Sequence, residues 1–450
     1  MLTEPRVQAR RSTLAQRRAQ AGVAALAVVA GLPFGLFGPG VVLDDQYTLF
    51  WAWDRGPWGA SGPTQWRARP LGALLYDVQF GLIGPHPVVW WAGQLAVTIA
   101  TAVLLVALLR RVVPLVVATA ATAVWVVAAN HSSLDHWGSG SLAGVSLLLG
   151  VAGSVVLARA LDRDASPWIG VALLAAAPLV YEATLPPALL AAIALPRLLG
   201  RRDSLASAAR RGIPLLAVGA SLVLGSYHLR HDQGWFGFAS IPDALLGQGI
   251  ARWTGPSTVL LCTGLLGVVL VALRPLSPSL RRTIPAEPAR FVLAGLAVAA
   301  AGYAAFARYP INPLGVGDRA NVVSAIGGAM VWTGLGWALA PHRRVLACSA
   351  LAFATVLGSA RVARAADWAN AGRDTEAVRA EVTPAFDRVP AGTLLVVGPS
   401  PPGHQGIYGM IGTIDPLVQL ARRDLGVRAT VVVADDQWEQ VPPERRIILP

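Results

Sequence analysis

Two adjacent carboxylates, Asp44 and Asp45, stand directly after the first long apolar stretch of the chain. Side by side, like charges raise the proton affinity of one partner or attract a cation. A carboxylate so placed can take the proton of an acceptor hydroxyl. The same pair can equally cap the apolar stretch and mark its exit. Arg67 and Arg69 follow in the same polar segment. Arginine grips phosphate oxygens bidentately and stays charged at any relevant pH, although ordinary headgroup contact would place it there too. Arg308 with Tyr309, and Asp318 with Arg319, carry the same two readings within ARYPINPLGVGDRAN. His131, Asp135 and His136 sit together between two apolar stretches, either as functional polar groups or, for the histidines, as interfacial residues facing solvent. Glu182, in YEATLPP, ends another apolar stretch. An acid there is costly to leave unpaired, so it is either functional or matched by an arginine. The acidic pair is compatible with a divalent metal and does not require one.

The elements that must position these groups follow from composition. Of 450 residues, 54% are hydrophobic and 14% charged. Soluble domains carry about 25% charged residues, so a water-soluble enzyme is excluded; a mean hydropathy of +0.53 agrees. Eleven apolar spans are expected, at 21–41, 88–109, 112–129, 139–158, 167–181, 185–196, 212–228, 256–273, 291–306, 322–340 and 345–360. The polar N-terminus, 1–20, precedes a stretch with no small-residue cleavage site, so a retained first helix is expected rather than a signal peptide. Cys262 and Cys348 fall inside apolar spans and read as packing residues.

All 37 basic residues are arginine, and the net charge is +12. With the N-terminus inside, twenty arginines and five acids fall on the cytoplasmic side, while the opposite loops before residue 361 hold seven arginines and nine acids. This is the positive-inside pattern. The basic charge therefore sets topology, and no nucleic-acid partner is expected. The remaining arginines lie in 361–450, where polar residues return. There a polar helix is expected over Val362–Phe386, strands at Thr393–Val397 and Ala429–Ala434 with an edge at Ile447–Leu449, and an amphipathic helix at Ile407–Leu425. The segment 42–87 is long and holds Trp51, Trp53, Trp58 and Trp66, with the spacing of a short amphipathic helix at Leu71–Leu82.

The run from Asp44-Asp45 through Arg69-Pro70-Leu71 and Gly84-Pro85-His86-Pro87 to Arg110-Arg111 resembles the opening of the GT-C-fold glycosyltransferases. It is most similar to bacterial relatives of the protein O-mannosyltransferases that carry TPR repeats. The resemblance is closest over 41–112 and looser to about 340, where Tyr181-Glu182 and Asp318-Arg319 fall near the family's acidic and E-R-Y-L-Y-type motifs. It does not extend into the tail, where such relatives place TPR helices.

The resemblance implies an all-α polytopic membrane protein: a GT-C-like bundle of about eleven helices over 21–360, with a catalytic first outer loop at 42–87. The tail, 361–450, reads from its own pattern as a small extracytoplasmic α/β domain. Such a protein sits in the plasma membrane with its N-terminus cytoplasmic and its C-terminus extracytoplasmic. It moves a sugar from a polyprenyl-phosphate donor to a glycan, lipid or protein acceptor outside the bilayer. Asp44 would be the base and Asp45 an orienting partner. Arg67, Arg69, Arg308 and Arg319 would hold the donor phosphate, and Asp135, His131, His136, Glu182, Tyr309 and Asp318 would touch sugar or acceptor. A flippase for lipid-linked glycan and a non-catalytic scaffold are the alternatives. The flippase calls for ionisable groups at mid-span, whereas the span interiors are mostly Ala, Val, Leu and Gly.

Overall fold

The computed structural model describes residues 4–42, 44–62, 66, 69–128, 131–163, 165–198, 266–271, 273–304, 321–339, 357–373 and 376–377, together with three short strands. Helices occupy the described part of the apolar stretches: α1 (Glu4–Phe37), α4 (Pro87–Leu109), α5 (Leu115–Val127), α7 (Ser141–Asp162), α8 (Trp168–Val180), α9 (Leu185–Leu198), α11 (Ala286–Ala304) and α12 (Asn321–Leu339). The segment 42–87 adds α2 (Asp44–Arg55) and α3 (Pro70–Tyr76), which runs on as a π-helix over Asp77–Ile83. One-turn α6 (Ser133–His136), short α10 (Pro278–Thr283) and α13 (357–373) are also helical, as are residues 266–271. The expected span 212–228 lies outside the described residues, as do most of 256–273 and 345–360.

Among the described residues, three helices are long and apolar enough to cross a membrane, namely Thr13–Phe37, Pro87–Leu109 and Gly138–Asp162. A span needs about 20 residues. α5 and α8 have only 13 each, shorter than the stretches that announced them. Each starts after a proline, Pro114 or Pro167, and ends where the backbone turns extended, at Ala128 or Tyr181. The first helix departs the other way. It begins at Glu4, because the arginine-rich segment expected to precede the span is built of Ala, Arg, Gln and Leu, which propagate a helix.

α1 packs against α4 through Gly31 and Gly35, one turn apart. A β-carbon at Gly31 would fall 2.8 Å from Leu95, and one at Gly35 would enter the ring of Trp91. Small residues at this spacing make room for the side chains of the neighbouring apolar helix. The main core joins α1, α4, α5, α7 and α12 around the fully buried Trp125. A second cluster, Phe34, Val42, Trp137, Ala365, Trp368, Ala369 and Ala371, brings α13 onto the end of α1. The tail expected to separate at residue 361 is thus packed into the bundle as far as 373, because its helix carries an apolar face of Ala and Trp. A β-carbon on Gly40 would lie 2.6 Å from Gly372 Cα, so those two backbones touch as well.

Beyond α13, strands β1 (Leu394–Val397), β2 (Arg428–Val431) and β3 (Arg446–Ile447) pair in parallel in the order β2-β1-β3. The expected helix at Ile407–Leu425 lies outside the described residues.

Candidate functional site

The segment 42–87 folds back as a helical layer over the ends of α1, α4, α7 and α8, and its charged residues make the attachments. Asp44 opens α2; its side chain lies outside the described residues. Asp45 is fully buried. Its Oδ1 accepts from the Ser139 amide at 2.6 Å and the Ser139 hydroxyl at 2.7 Å, and its Oδ2 accepts from the Val42 amide at 3.4 Å. Ser139 lies in the 3-10 turn Gly138–Gly140 that leads into α7. A carboxylate there satisfies open amides and meets the positive end of the helix dipole. Position 138 must be glycine, since a β-carbon would sit 2.9 Å from both Asp45 carboxylate oxygens. Asp45 is therefore a structural anchor for the layer.

The amphipathic helix foreseen at Leu71–Leu82 exists, spanning α3 and its π-helical continuation. It buries Ala73, Tyr76, Asp77, Gln79 and Phe80 and leaves Leu71, Leu74, Val78 and Leu82 exposed. Tyr76 donates to Ser139 O at 2.9 Å and Gln79 donates to Gly138 O at 2.8 Å, so the same turn receives three side chains of the layer. Asp77, which the resemblance did not single out, accepts from Ser61 N and Oγ, both at 2.8 Å.

Arg69 precedes α3 and reaches the break between α8 and α9, where Glu182 opens a 3-10 turn. Its Nε and Nη2 both donate to the Glu182 carboxylate, and the guanidinium lies 4.7 Å from the centre of the Tyr181 ring. Of the two readings for Glu182, pairing with an arginine is the one found. Burial opposes the Arg69 charge, yet Glu182 more than compensates and holds its pKa above the ordinary value. The pairing is side-on. It leaves the Nη1 edge without a partner among the described residues, on a side chain still 16% exposed. A fork oriented by its own carboxylate, with one edge unused, is equipped to take an anionic oxygen.

His131, Asp135 and His136 differ from expectation. They are 0%, 4% and 3% exposed, so the reading of the histidines as solvent-facing interfacial residues does not hold. Arg361 of α13 pairs with Asp135 and donates to Ala128 O at 3.0 Å and Ala30 O at 3.3 Å. Thr98 Oγ1 donates to the other Asp135 oxygen at 2.6 Å. His131 stacks on Trp125 at 5.5 Å, His136 lies 4.3 Å from Phe34, and Trp368 Nε1 donates to Ser132 Oγ at 3.0 Å. This short loop ties α1, α4, α5 and α13 together. With its groups sealed inside, it offers no surface to a sugar or acceptor. Sequence reasoning missed Arg361, 226 residues from its partner. A signal for the contact face existed in Gln94, Thr98 and Thr101, polar and one turn apart along an otherwise apolar helix.

Burial pushes the pKa of both histidines down to about 3, with the Arg361 charge adding to the effect. Burial also opposes the Asp135 charge, but Arg361, the two histidines and the Thr98 hydrogen bond together more than compensate and hold that pKa below its ordinary value. All three shifts act in one direction. Between about pH 6.5 and 3 the unfolded chain binds protons that the folded histidines refuse, so stability falls as pH drops through that window. Asp135 adds a loss at the acid end. Thermal unfolding of the detergent-solubilised protein is expected to be flat above pH 7. Below pH 6.5 it should weaken by up to about 1.4 kcal/mol per pH unit for each histidine. His136→Phe is expected to halve that slope; an unchanged slope would refute the assignment.

Arg67, Arg308, Tyr309, Asp318 and Arg319 lie outside the described residues. Among the described residues, no group of three or more His, Cys, Asp or Glu side chains is arranged to hold a metal ion. No protein-family model matches the chain, and no curated protein matches it.

Proposed function

We propose that the chain is a multi-pass plasma-membrane glycosyltransferase of the GT-C type, which moves a sugar from a polyprenyl-phosphate donor to an acceptor outside the bilayer. In this reading the N-terminus is cytoplasmic and about eleven helices cross. The residues beyond α13 form a small extracytoplasmic α/β unit around the parallel strands. The layer of α2 and α3 lies on the outer face, its exposed apolar side chains in the headgroup region.

The observation that carries the reading is Arg69. Its guanidinium is fixed by Glu182 at the end of an apolar bundle and keeps one donating edge without a partner among the described residues. Polyprenyl phosphate is a good leaving group, so the reaction needs no acid to protonate it. Asp44 would take the proton of the acceptor hydroxyl, and the acceptor oxygen would form its bond to the anomeric carbon. The bond from that carbon to the phosphate oxygen would break on the opposite face. The phosphate leaves with the electron pair, its charge met by the Arg69 Nη1 edge, and the anomeric configuration inverts. Asp45 acts one step removed, by holding the start of α2 on Ser139. Glu182 orients Arg69 and is a positioning residue.

The test is Arg69→Lys, which keeps the charge but loses the planar fork. Lysine cannot face Glu182 and a phosphate with separate parallel donors. kcat/KM for the lipid donor should fall about 10²-fold. Thermal stability should fall by much less than the loss of the whole ion pair would cause. A variant that folds and transfers sugar at the normal rate would remove Arg69 from the donor site.

A further inference from the structure

A cavity of about 470 Å³ lies between α4, α7, α8, α9, α11 and α12. That is the size of a site for one small-molecule or lipid-chain ligand. Its walls are almost wholly aliphatic, with Leu108, Leu147, Leu190, Ala297 and Ile326 among them. Its charged side chains all come from helix ends. Arg111 stands just past α4, and Glu287 and Arg290 lie in the first turns of α11. Arg111 pairs with Asp162, whereas Arg290 is exposed and has no ion-pair partner among the described residues. Arg110, Arg159 and Arg163 belong to the same ends of α4 and α7, so these helix ends carry more arginines than acids, although the cavity itself is lined only by Arg111, Arg290 and Glu287. At Thr184, a second margin of the cavity, Ser146 and Thr184 hydroxyls bond at 2.7 Å and Thr184 donates to Tyr181 O at 3.0 Å. These bonds tie α7 to the turn between α8 and α9.

We infer that this cavity binds one anionic glycerophospholipid from the inner leaflet, with an acyl chain inside and the phosphate on Arg290, next to Arg111. A basic pocket between membrane helices on the cytoplasmic side suits an acidic headgroup. The aliphatic lining supplies the remaining affinity through apolar burial. In the reading above the donor phosphate belongs at Arg69, which is not among the residues lining this cavity. The inference rests on the orientation proposed above, which places the arginine-rich end inside.

The experiment is native mass spectrometry of the full chain in detergent, titrated in turn with phosphatidylglycerol, phosphatidylcholine and a polyprenyl phosphate. One phosphatidylglycerol per chain is expected to survive detergent stripping, with at least about tenfold preference over phosphatidylcholine. Arg290→Gln changes an exposed side chain and should keep the fold while losing about that preference. Gly150→Phe should abolish retention, because Gly150 lines the cavity and a β-carbon there meets nothing within 4 Å. Equal retention of the two phospholipids, or full retention by a folded Gly150→Phe protein, would overturn the proposal. Preferential retention of the polyprenyl phosphate would overturn it too, by making the cavity a donor-chain site. Because the readout is bound lipid and not sugar transfer, failure here leaves the Arg69 reading standing.

Discussion

Asn in place of Asp44 is expected to lower sugar transfer in membranes by about 10²–10⁴-fold while the protein remains at its normal level. That range is what a positioned general base contributes, and asparagine keeps the size of the side chain but cannot accept the proton. The neighbouring substitution separates chemistry from folding. Asp45 is fully buried against Ser139 and Gly138. Asp45→Asn should therefore cost about 1–3 kcal/mol of stability and reduce the amount of folded protein. Asp44→Asn should leave thermal unfolding unchanged within about 0.5 kcal/mol. The paired measurement is transfer of a radiolabelled sugar from polyprenyl phosphate into the membrane fraction, set beside quantitative immunoblotting. Normal transfer by a normally abundant Asp44→Asn protein would sink the catalytic reading and leave the flippase and scaffold alternatives.

The second large effect is on folding. Arg361→Met is expected to destabilise the protein by about 3–5 kcal/mol, the cost of leaving a buried charge without its partner. Here the stranded group is Asp135, with Thr98 as its remaining hydrogen-bond donor from another helix. Two backbone carbonyls, Ala30 and Ala128, lose their Arg361 donors at the same time. Asp135→Leu alone should be similarly harmful. The double variant should lose less than the two single losses combined, since no lone charge is left buried. Thermal unfolding in detergent measures this cycle. Strictly additive losses would show that the two side chains act independently. The damage is expected to centre on α13, because Arg361 and Trp368 are its buried polar fastenings to the bundle.

Several parts of this molecule were legible before any coordinates. Apolar runs foretold helices wherever the chain is described, because a long run of Ala, Val and Leu has no other way to satisfy its backbone in lipid. The amphipathic helix of the first loop was readable from the spacing of its leucines, and the short strands from their β-branched runs. Their parallel pairing in the order β2-β1-β3 is a tertiary result. Helix ends were less legible. Pro114 and Pro167 start their helices later than hydropathy alone suggested, and the arginine-rich N-terminus proved helical. The tail boundary moved from 361 to beyond 373 because hydropathy averages over a helix, whereas packing depends on a single face.

For the candidate site, residue types and their places along the chain come from local patterns, which one strand of text contains. Which charge meets which comes from packing. Arg69 could not be assigned to Glu182 across 113 positions, nor Asp45 to Ser139 across 94, until the helices between them were placed. A buried charge survives only where desolvation is repaid by a partner of good geometry, and that partner is chosen by proximity in space. The histidines illustrate the point. On the sequence they border two apolar stretches, as solvent-facing residues do, and in the fold they are sealed under α13, whose position only the tertiary contacts of Arg361 and Trp368 decide.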